Sequence, residues 1–129
     1  MKAMKLTGLA VVMAVGAWAA VAQEAVRTEL SRADVPGVDT LEVIVTRLEV
    51  PPGATVPRHS HPGDEHLVVI VGGQMQAGNG KVIPFPDGMS TRFPDGEPHG
   101  GLTNVGDAPL VAITTHIVRK GEPLMSLLD

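Results

Sequence analysis

The sequence contains no cysteine and almost no aromatic residues. The absence of cysteine excludes disulfide bonds, thiolate-ligated zinc, iron–sulfur clusters and thiol nucleophiles. Aromatic side chains make up 2% of the 129 residues, namely Trp18, Phe85 and Phe93, so stacking on aromatic surfaces is a poor mode of ligand binding here. Basic residues are also few, because 10 Lys and Arg stand against 14 Asp and Glu. This balance argues against nucleic acid as a partner, since phosphate contacts need clustered positive charge.

The first 22 residues have the layout of a secretory signal peptide. Lys2 and Lys5 precede an uncharged stretch at 6–22, which is rich in Ala and Val and ends in Ala-Val-Ala. A positive start, an apolar centre and a small-residue cleavage motif are typical of exported proteins. A membrane anchor is the alternative, but the stretch is shorter than the roughly 20 residues that a span needs. We therefore expect cleavage after Ala22, a periplasmic or secreted protein, and no membrane association after cleavage.

From residue 40 onward the sequence predicts an all-β domain. Short runs of β-branched and apolar residues recur about every ten residues between Gly, Pro, Asn and Asp, which is the pattern of a sandwich or barrel. The run at 67–71 is continuously apolar, which predicts a strand buried on both faces. We expect four segments: the signal peptide at 1–22, an N-terminal arm at 23–39 that forms a helical turn or an edge strand, a β-barrel domain at 40–118, and a C-terminal tail at 119–129.

The histidines are the residues of this sequence that most clearly indicate a functional site. The five are His59, His61, His66, His99 and His116. His59 and His61 are separated by one residue, so in an extended strand they point to the same face, and Glu65 shares their parity. A lone histidine is usually a surface or hydrogen-bonded residue, but two imidazoles and a carboxylate on one face form a set that binds divalent metals such as Fe(II). His66 is adjacent to Glu65, so we expect it to face away from that set.

His116 is a candidate of a different kind. It lies in an apolar strand, on the face opposite to Val111, Ile113 and Ile117. Those three side chains look like core, so we expect His116 to be exposed or to line a polar cavity. In a cavity it could act as a general acid or base, because its ordinary pKa is close to neutral pH.

Two longer patterns resemble the signatures of the cupin superfamily. Residues 53–72 read G-x5-H-x-H-x3-E-x6-G, and residues 88–99 read G-x5-P-x-G-x2-H. The family pattern then has Asn after three residues, whereas Asn104 comes after four. The resemblance covers roughly residues 40–118 and implies a jelly-roll β-barrel, also called a double-stranded β-helix. It further implies that one divalent metal is bound inside the barrel, with these ligands: His59, His61, Glu65 and His99.

The cupin resemblance does not identify the reaction, because cupins host many chemistries on one fold. All four ligand positions are occupied by ligand-type residues, which favours a metal-competent member, although Fe, Mn, Ni, Cu, Co and Zn all suit the set. We expect a metal-dependent enzyme of the dioxygenase or other oxidoreductase, lyase or isomerase type, acting on a small polar substrate. The alternatives are a non-catalytic periplasmic protein that binds a small ligand or metal, and a structural subunit stabilised by its metal.

Further polar residues near the signatures are weaker candidates for substrate contacts. Arg58 and Arg92 could orient an anionic substrate, although strand-surface charges are the commoner role. Gln74 and Gln76 could line the cavity or lie on an exposed hairpin. Cupins commonly pair through an outer sheet, so a homodimer through residues 40–50 and the tail is a further expectation.

Overall fold

The computed structural model describes residues 23–129, and every regular element within them is a β-strand. The predicted signal peptide lies outside the described residues. The eleven strands are β1 (Val26–Val35), β2 (Val38–Val50), β3 (Thr55–Val56), β4 (His59–Ser60), β5 (Gly63–Val71), β6 (Gly73–Ala77), β7 (Val82–Phe85), β8 (Ser90–Phe93), β9 (Leu102–Asn104), β10 (Leu110–Arg119) and β11 (Ser126–Leu127). The described part of the chain holds no helix with the length and hydropathy of a membrane span.

The strands form two large antiparallel sheets around one core. One sheet has the order β1-β2-β10-β5-β8, the other has the order β3-β9-β6-β7, and β4 pairs with β11 beside them. The core residues come from both large sheets: Leu48, Val50, Ala54, Leu67, Val69, Met75, Leu110 and Ala112, with Val56, Phe85 and Leu102 packed against them. This arrangement is the predicted jelly roll, so the all-β prediction is confirmed.

The five-stranded sheet buries one face and exposes the other. In β5 the side chains of Val68 and Ile70 are 42% and 51% exposed. The prediction that residues 67–71 are buried on both faces is therefore wrong. An antiparallel sheet can leave one face in water, and here the apolar outer residues stand on that face.

The orientation of β10 also differs from the sequence prediction. His116 is fully buried on the inner face, while Ile117 is 38% exposed and Ile113 is only half-buried on the outer face. The expectation that the face of Val111, Ile113 and Ile117 is core therefore holds for Val111, which is buried, and is wrong for Ile113 and Ile117. Pairing decides the face, because His116 stands opposite Ile44 of β2 and Glu65 of β5, whose side chains point into the barrel.

The two ends of the described chain both pack onto the barrel. β1 forms an antiparallel hairpin with β2 through the turn at Gly37, and it is one of the two edge strands of the five-stranded sheet. The register places Arg27 opposite Leu48, whose side chain is inward. At the other end β11 pairs with β4, with Leu127 opposite His59. Both terminal segments therefore reach the region of the histidines.

Candidate metal centre

Four of the predicted site residues meet at one point inside the barrel. The side chains of His59, His61, Glu65 and His99 place ligand atoms within 4.8 Å of one another. His59 and His99 face each other across an isolated β-bridge, in which each backbone N–H donates to the other's carbonyl oxygen at 2.9 Å. This bridge brings a residue from the loop after β8 against β4. His66 is exposed on the outer face, which agrees with the expectation that it faces away.

The three clustered imidazoles are held in one tautomer by the backbone. Each of them donates from Nδ1 to a carbonyl oxygen, which can only accept a hydrogen bond. The pairs are His59 with Pro57 at 2.7 Å, His61 with Leu124 at 2.6 Å, and His99 with Glu97 at 2.8 Å. In a neutral imidazole this leaves the Nε2 lone pair free, which is the arrangement that partners of metal-bound histidines impose.

The spacing of the free lone pairs fits a bound cation. The Nε2 atoms of His59 and His61 are 3.1 Å apart, and Oε2 of Glu65 is 3.0 Å from Nε2 of His61. The same oxygen is 2.8 Å from Nε2 of His99. Two ligand atoms that each lie about 2.1 Å from an ion, at right angles, are about 3.0 Å apart. The residues present therefore fit a bound metal ion.

Burial and neighbouring groups keep His59 and Glu65 in the protonation states that bind a metal. His59, His61 and Glu65 are 1%, 4% and 1% exposed. Burial lowers the pKa of His59 to about 4, so its imidazole is neutral near pH 7. Burial by itself raises the pKa of Glu65, but the positive charge of Arg27 beside it acts in the opposite direction, and the pKa lies below its usual range.

Sequence reasoning did not identify Arg27, whose guanidinium enters this centre from β1. Its side chain is 18% exposed and Nη1 lies 3.4 Å from Oε1 of Glu65, so the two charges pair. The other contacts of Nη1 are Oγ1 of Thr46 at 3.0 Å, Oγ1 of Thr114 at 2.8 Å and Nε2 of His116 at 3.1 Å. Nothing in the local sequence distinguishes Arg27 from its polar neighbours, because only the hairpin register turns it inward.

His116 lies behind the cluster and contacts Arg27. Its Nε2 is 2.8 Å from Oγ1 of Thr114 and 3.7 Å from Oε1 of Glu65. Its Nδ1 has no hydrogen-bond partner within residues 23–129. Burial lowers the pKa of His116 to about 3, so the ring is neutral near pH 7. The acid–base role of His116 stays a prediction.

A small, mostly apolar cavity leads to the cluster. Its volume is about 60 Å³, and one water needs about 10–15 Å³ on this measure, so it suits a molecule of a few non-hydrogen atoms. The polar groups that line it include Arg27, His59, Glu65 and His99. The apolar walls are Leu48, Val50, Val56, Leu67, Met75, Phe85, Phe93, Leu102 and Leu110.

The weaker candidates for substrate contacts lie outside this cavity. Arg92 pairs with Asp64 at the surface, where Nη2 and Oδ2 are 2.6 Å apart, and Arg58 is exposed. Gln74 is exposed, and Gln76 donates a hydrogen bond within its own hairpin. None of these four side chains is among the residues that line the cavity in the described part of the chain.

Phe93 and Gly100 pack against the ligands His99 and His59 and fix the local structure around them. The ring of Phe93 stacks on His99, with centroids 4.0 Å apart and planes at 6°. Gly100 has φ of +84° and its Cβ, if present, would lie 2.3 Å from the carbonyl oxygen of Pro57, so only glycine fits. Gly101 also has positive φ, and together the two form the longer turn after His99.

The side chain of Asn104 holds neighbouring segments of the backbone together. It is buried, and its Nδ2 donates to the carbonyl oxygens of Val50 and Ala108 at 2.8 and 2.9 Å. Its Oδ1 accepts a hydrogen bond from the backbone N–H of Gly106 at 2.9 Å. The side chain therefore joins the ends of β2 and β9 to the loop before β10, away from the ligand atoms.

Comparison with known sequences gives a family match and several distant relatives. A family model described as "Cupin domain" matches residues 46–116. Auxin-binding protein ABP19b from Prunus persica is 32% identical over 94 residues, which cover 62% of this chain and 41% of that protein. Auxin-binding protein ABP20 from the same species is 29% identical over 111 residues, which cover 75% of this chain and 47% of that protein. The chain thus spans less than half the length of these relatives.

Solved structures share the fold at low sequence identity. A cupin domain from Bordetella pertussis Tohama I superposes with a TM-score of 0.54 and 25% identity, and the match covers 73% of this chain and 93% of that one. A cupin-like protein from Thermotoga maritima superposes with a TM-score of 0.59 and 24% identity, covering 81% and 76%. The second match shows a common fold alone.

Proposed function

This chain belongs to the cupin superfamily, and on that premise we propose that it is an exported, metal-dependent enzyme acting on a small polar substrate. One divalent transition metal ion would be held by His59, His61, Glu65 and His99. The observation that carries the proposal is that Nδ1 of each of the three imidazoles lies within hydrogen-bond distance of a backbone carbonyl oxygen, which leaves the Nε2 atoms turned toward one another and toward the Glu65 carboxylate.

The chain's own residues prepare the site for catalysis. When bound, the ion supplies a Lewis acid for substrate oxygen atoms, and a redox-active ion adds oxidation chemistry. The apolar side chains of Leu48, Leu67 and Met75 line the cavity and lower its polarity, which strengthens electrostatic interactions inside it. The reaction would be of the dioxygenase or other oxidoreductase, lyase or isomerase type.

A non-catalytic binding protein is the second candidate. Two relatives in Prunus persica are named auxin-binding proteins, and the cavity here is small and lined mainly by apolar side chains. A periplasmic protein that captures a small ligand or a metal would use the same four residues without turnover.

Metal content tests the shared basis of both candidates. Protein recovered from its native compartment should contain close to one divalent ion per chain by elemental analysis. His99→Ala should lose most of this ion, because it removes one of four ligands. His66→Ala is the matched control, since its exposed imidazole lies next to Glu65 on the opposite face. Equal metal content in wild type and His99→Ala would contradict the proposed site.

Turnover separates the enzyme from the binder. Metal-loaded protein is incubated with a panel of small polar acids under air and under nitrogen, and products are followed by NMR. An enzyme converts a member of the panel, and conversion stops in His59→Ala while circular dichroism shows that the fold is kept. Saturable binding of a panel member without any product would instead support the second candidate.

Export rests on the composition of residues 1–22 and has its own test. The full chain is expressed in a Gram-negative bacterium, and the mass of the protein recovered from the periplasm is measured. Export with cleavage after Ala22 leaves a chain that begins at Gln23. Recovery of the full-length chain from the cytoplasm alone would contradict this part of the proposal.

A further inference from the structure

We propose that Arg27 is the anion-binding residue of the cavity and that it takes the carboxylate group of a short carboxylic acid beside the metal site. This inference rests on the proposed function, because it takes the ion at the four-residue centre as given.

The first argument is the unused hydrogen-bonding capacity of Arg27. All its hydrogen bonds to described residues leave from Nη1, and Nε and Nη2 have no partner there. Within residues 23–129, the buried side-chain nitrogen or oxygen atom without a hydrogen-bond partner is Nδ1 of His116. Nε and Nη2 of Arg27 also have no partner, so they would be named with it if they were buried, and both atoms are therefore accessible. Arg27 lines the cavity. The Nε and Nη2 edge of a guanidinium is the planar fork that binds the two oxygens of a carboxylate.

The second argument is the charge of the loaded centre. In the metal-free chain the Arg27 guanidinium is balanced by Glu65, at 3.4 Å. A divalent ion on neutral imidazoles adds two positive charges, and no second acidic side chain is among the described residues that line the cavity. Positive charge without a counter-charge is unfavourable between apolar walls. An anionic ligand supplies the missing negative charge where Arg27 can reach it.

The third argument concerns the rest of the ligand. Leu48, Leu67, Met75 and Leu110 are among the apolar side chains that line the cavity. A short hydrocarbon chain is favourable against these side chains, whereas an inorganic oxoanion has no apolar part to place there. The small volume limits the chain to a few carbon atoms. A short carboxylic acid therefore matches both the charge and the walls.

The test compares a carboxylate with its neutral isostere. Binding of propionate, propionamide and inorganic phosphate to the metal-loaded protein is measured by calorimetry. In wild type we expect propionate to bind more tightly than both other probes. Arg27→Gln should weaken the binding of propionate at least about tenfold, because hydrogen bonds between charged groups contribute most to affinity. The same substitution should leave the affinity for propionamide nearly unchanged. Arg58→Gln removes the same charge from the exposed surface, so it should bind propionate as wild type does.

Metal affinity should change in the opposite direction to propionate affinity in Arg27→Gln. Arg27→Gln removes a positive charge beside Glu65, so competition with a chelator should show tighter metal binding than in wild type. A purely structural role for Arg27 would lower both affinities. Arg27→Lys keeps the charge without the planar fork, and we expect its propionate affinity to lie between wild type and Arg27→Gln. It provides a second comparison should Arg27→Gln fold poorly.

The outcomes separate this inference from the proposed function. Propionate binding that is equal in wild type, Arg27→Gln and Arg27→Lys, with the ion bound in all three, would overturn the inference and leave the metal site standing. Equal affinity of wild type for propionate and propionamide would overturn it in the same way. A wild-type protein that takes up no ion would contradict the proposed function itself, and this inference with it.

Discussion

The Nε2 atoms of His59 and His61 lie 3.1 Å apart. In each ring Nδ1 donates to a backbone carbonyl oxygen, so when the ring is neutral its single hydrogen is on Nδ1 and Nε2 carries a lone pair. Two lone pairs at this distance repel each other, and the Glu65 carboxylate adds further negative charge to the same point. A cation at the centre turns these repulsions into attractions, so the metal-free barrel should be the less stable form.

Removal of the metal should lower the melting temperature by about 10 °C or more. An ion present at 100 times its dissociation constant adds about 2.7 kcal/mol, and 1 kcal/mol corresponds to about 4 °C or more in a domain of this size. Scanning calorimetry with and without a chelator measures the difference. His61→Gln should abolish it and His66→Gln should keep it. A chelator effect of equal size in both variants would rule out the four-residue centre as its source.

Glu65 and Arg27 should show strong coupling in the metal-free protein. Glu65→Gln leaves the guanidinium buried without a negative partner, which we expect to cost about 3–5 kcal/mol of unfolding free energy. Adding Arg27→Gln removes the unpaired positive charge of Arg27, so the double variant should be more stable than Glu65→Gln alone. Urea denaturation in the presence of a chelator gives the three values. Simple addition of the two losses would show that the ion pair is not coupled.

The C-terminal tail should control metal affinity through His61. The carbonyl oxygen of Leu124 accepts the hydrogen bond from Nδ1 of His61 at 2.6 Å. A chain that ends at Glu122 loses this acceptor together with β11, and loss of such a partner weakens metal binding by about 10–100-fold. A chain that ends at Leu128 keeps both features and is the control. Chelator competition measures both, and equal affinities would show that the tail does not orient the ring.

Gly100 and Gly101, which follow His99, should differ in their response to replacement by alanine. Both have positive φ, so each substitution brings a backbone cost of about 1–2 kcal/mol. At Gly101 the new Cβ meets only Cβ of Arg58 at 3.9 Å, so the cost should end there. At Gly100 it would lie 2.3 Å from the carbonyl oxygen of Pro57, which is the acceptor for His59.

Urea denaturation and metal affinity are measured for Gly100→Ala and Gly101→Ala. Gly100→Ala should be the less stable variant by a further 1–3 kcal/mol or so, and it should bind metal about tenfold more weakly because His59 loses its orientation. Gly101→Ala should bind metal like wild type. Equal metal affinities of the two variants would show that the position of the Pro57 carbonyl does not matter to the ligand.

The sequence predicted the fold class and the shared face of His59 and His61 because both depend on short-range patterns. His59 and His61 share a face through strand parity alone, and turn glycines such as Gly53 and Gly88 mark where the chain reverses. The position of His99 came from the family signature, and the structure shows the physical link as its β-bridge with His59. Such local rules hold wherever the strands are placed.

The tertiary structure alone decided which face of each strand is inside. Alternation says that His116 and Ile117 point to opposite sides, but only the pairing of β10 with β2 and β5 says that the histidine is the inner one. Arg27 is the clearest case, because its inward position depends on a hairpin register with Leu48 and on contacts far along the chain. Burial is a property of the assembled sheets, so the guanidinium that balances Glu65 could be found only once the strands were paired.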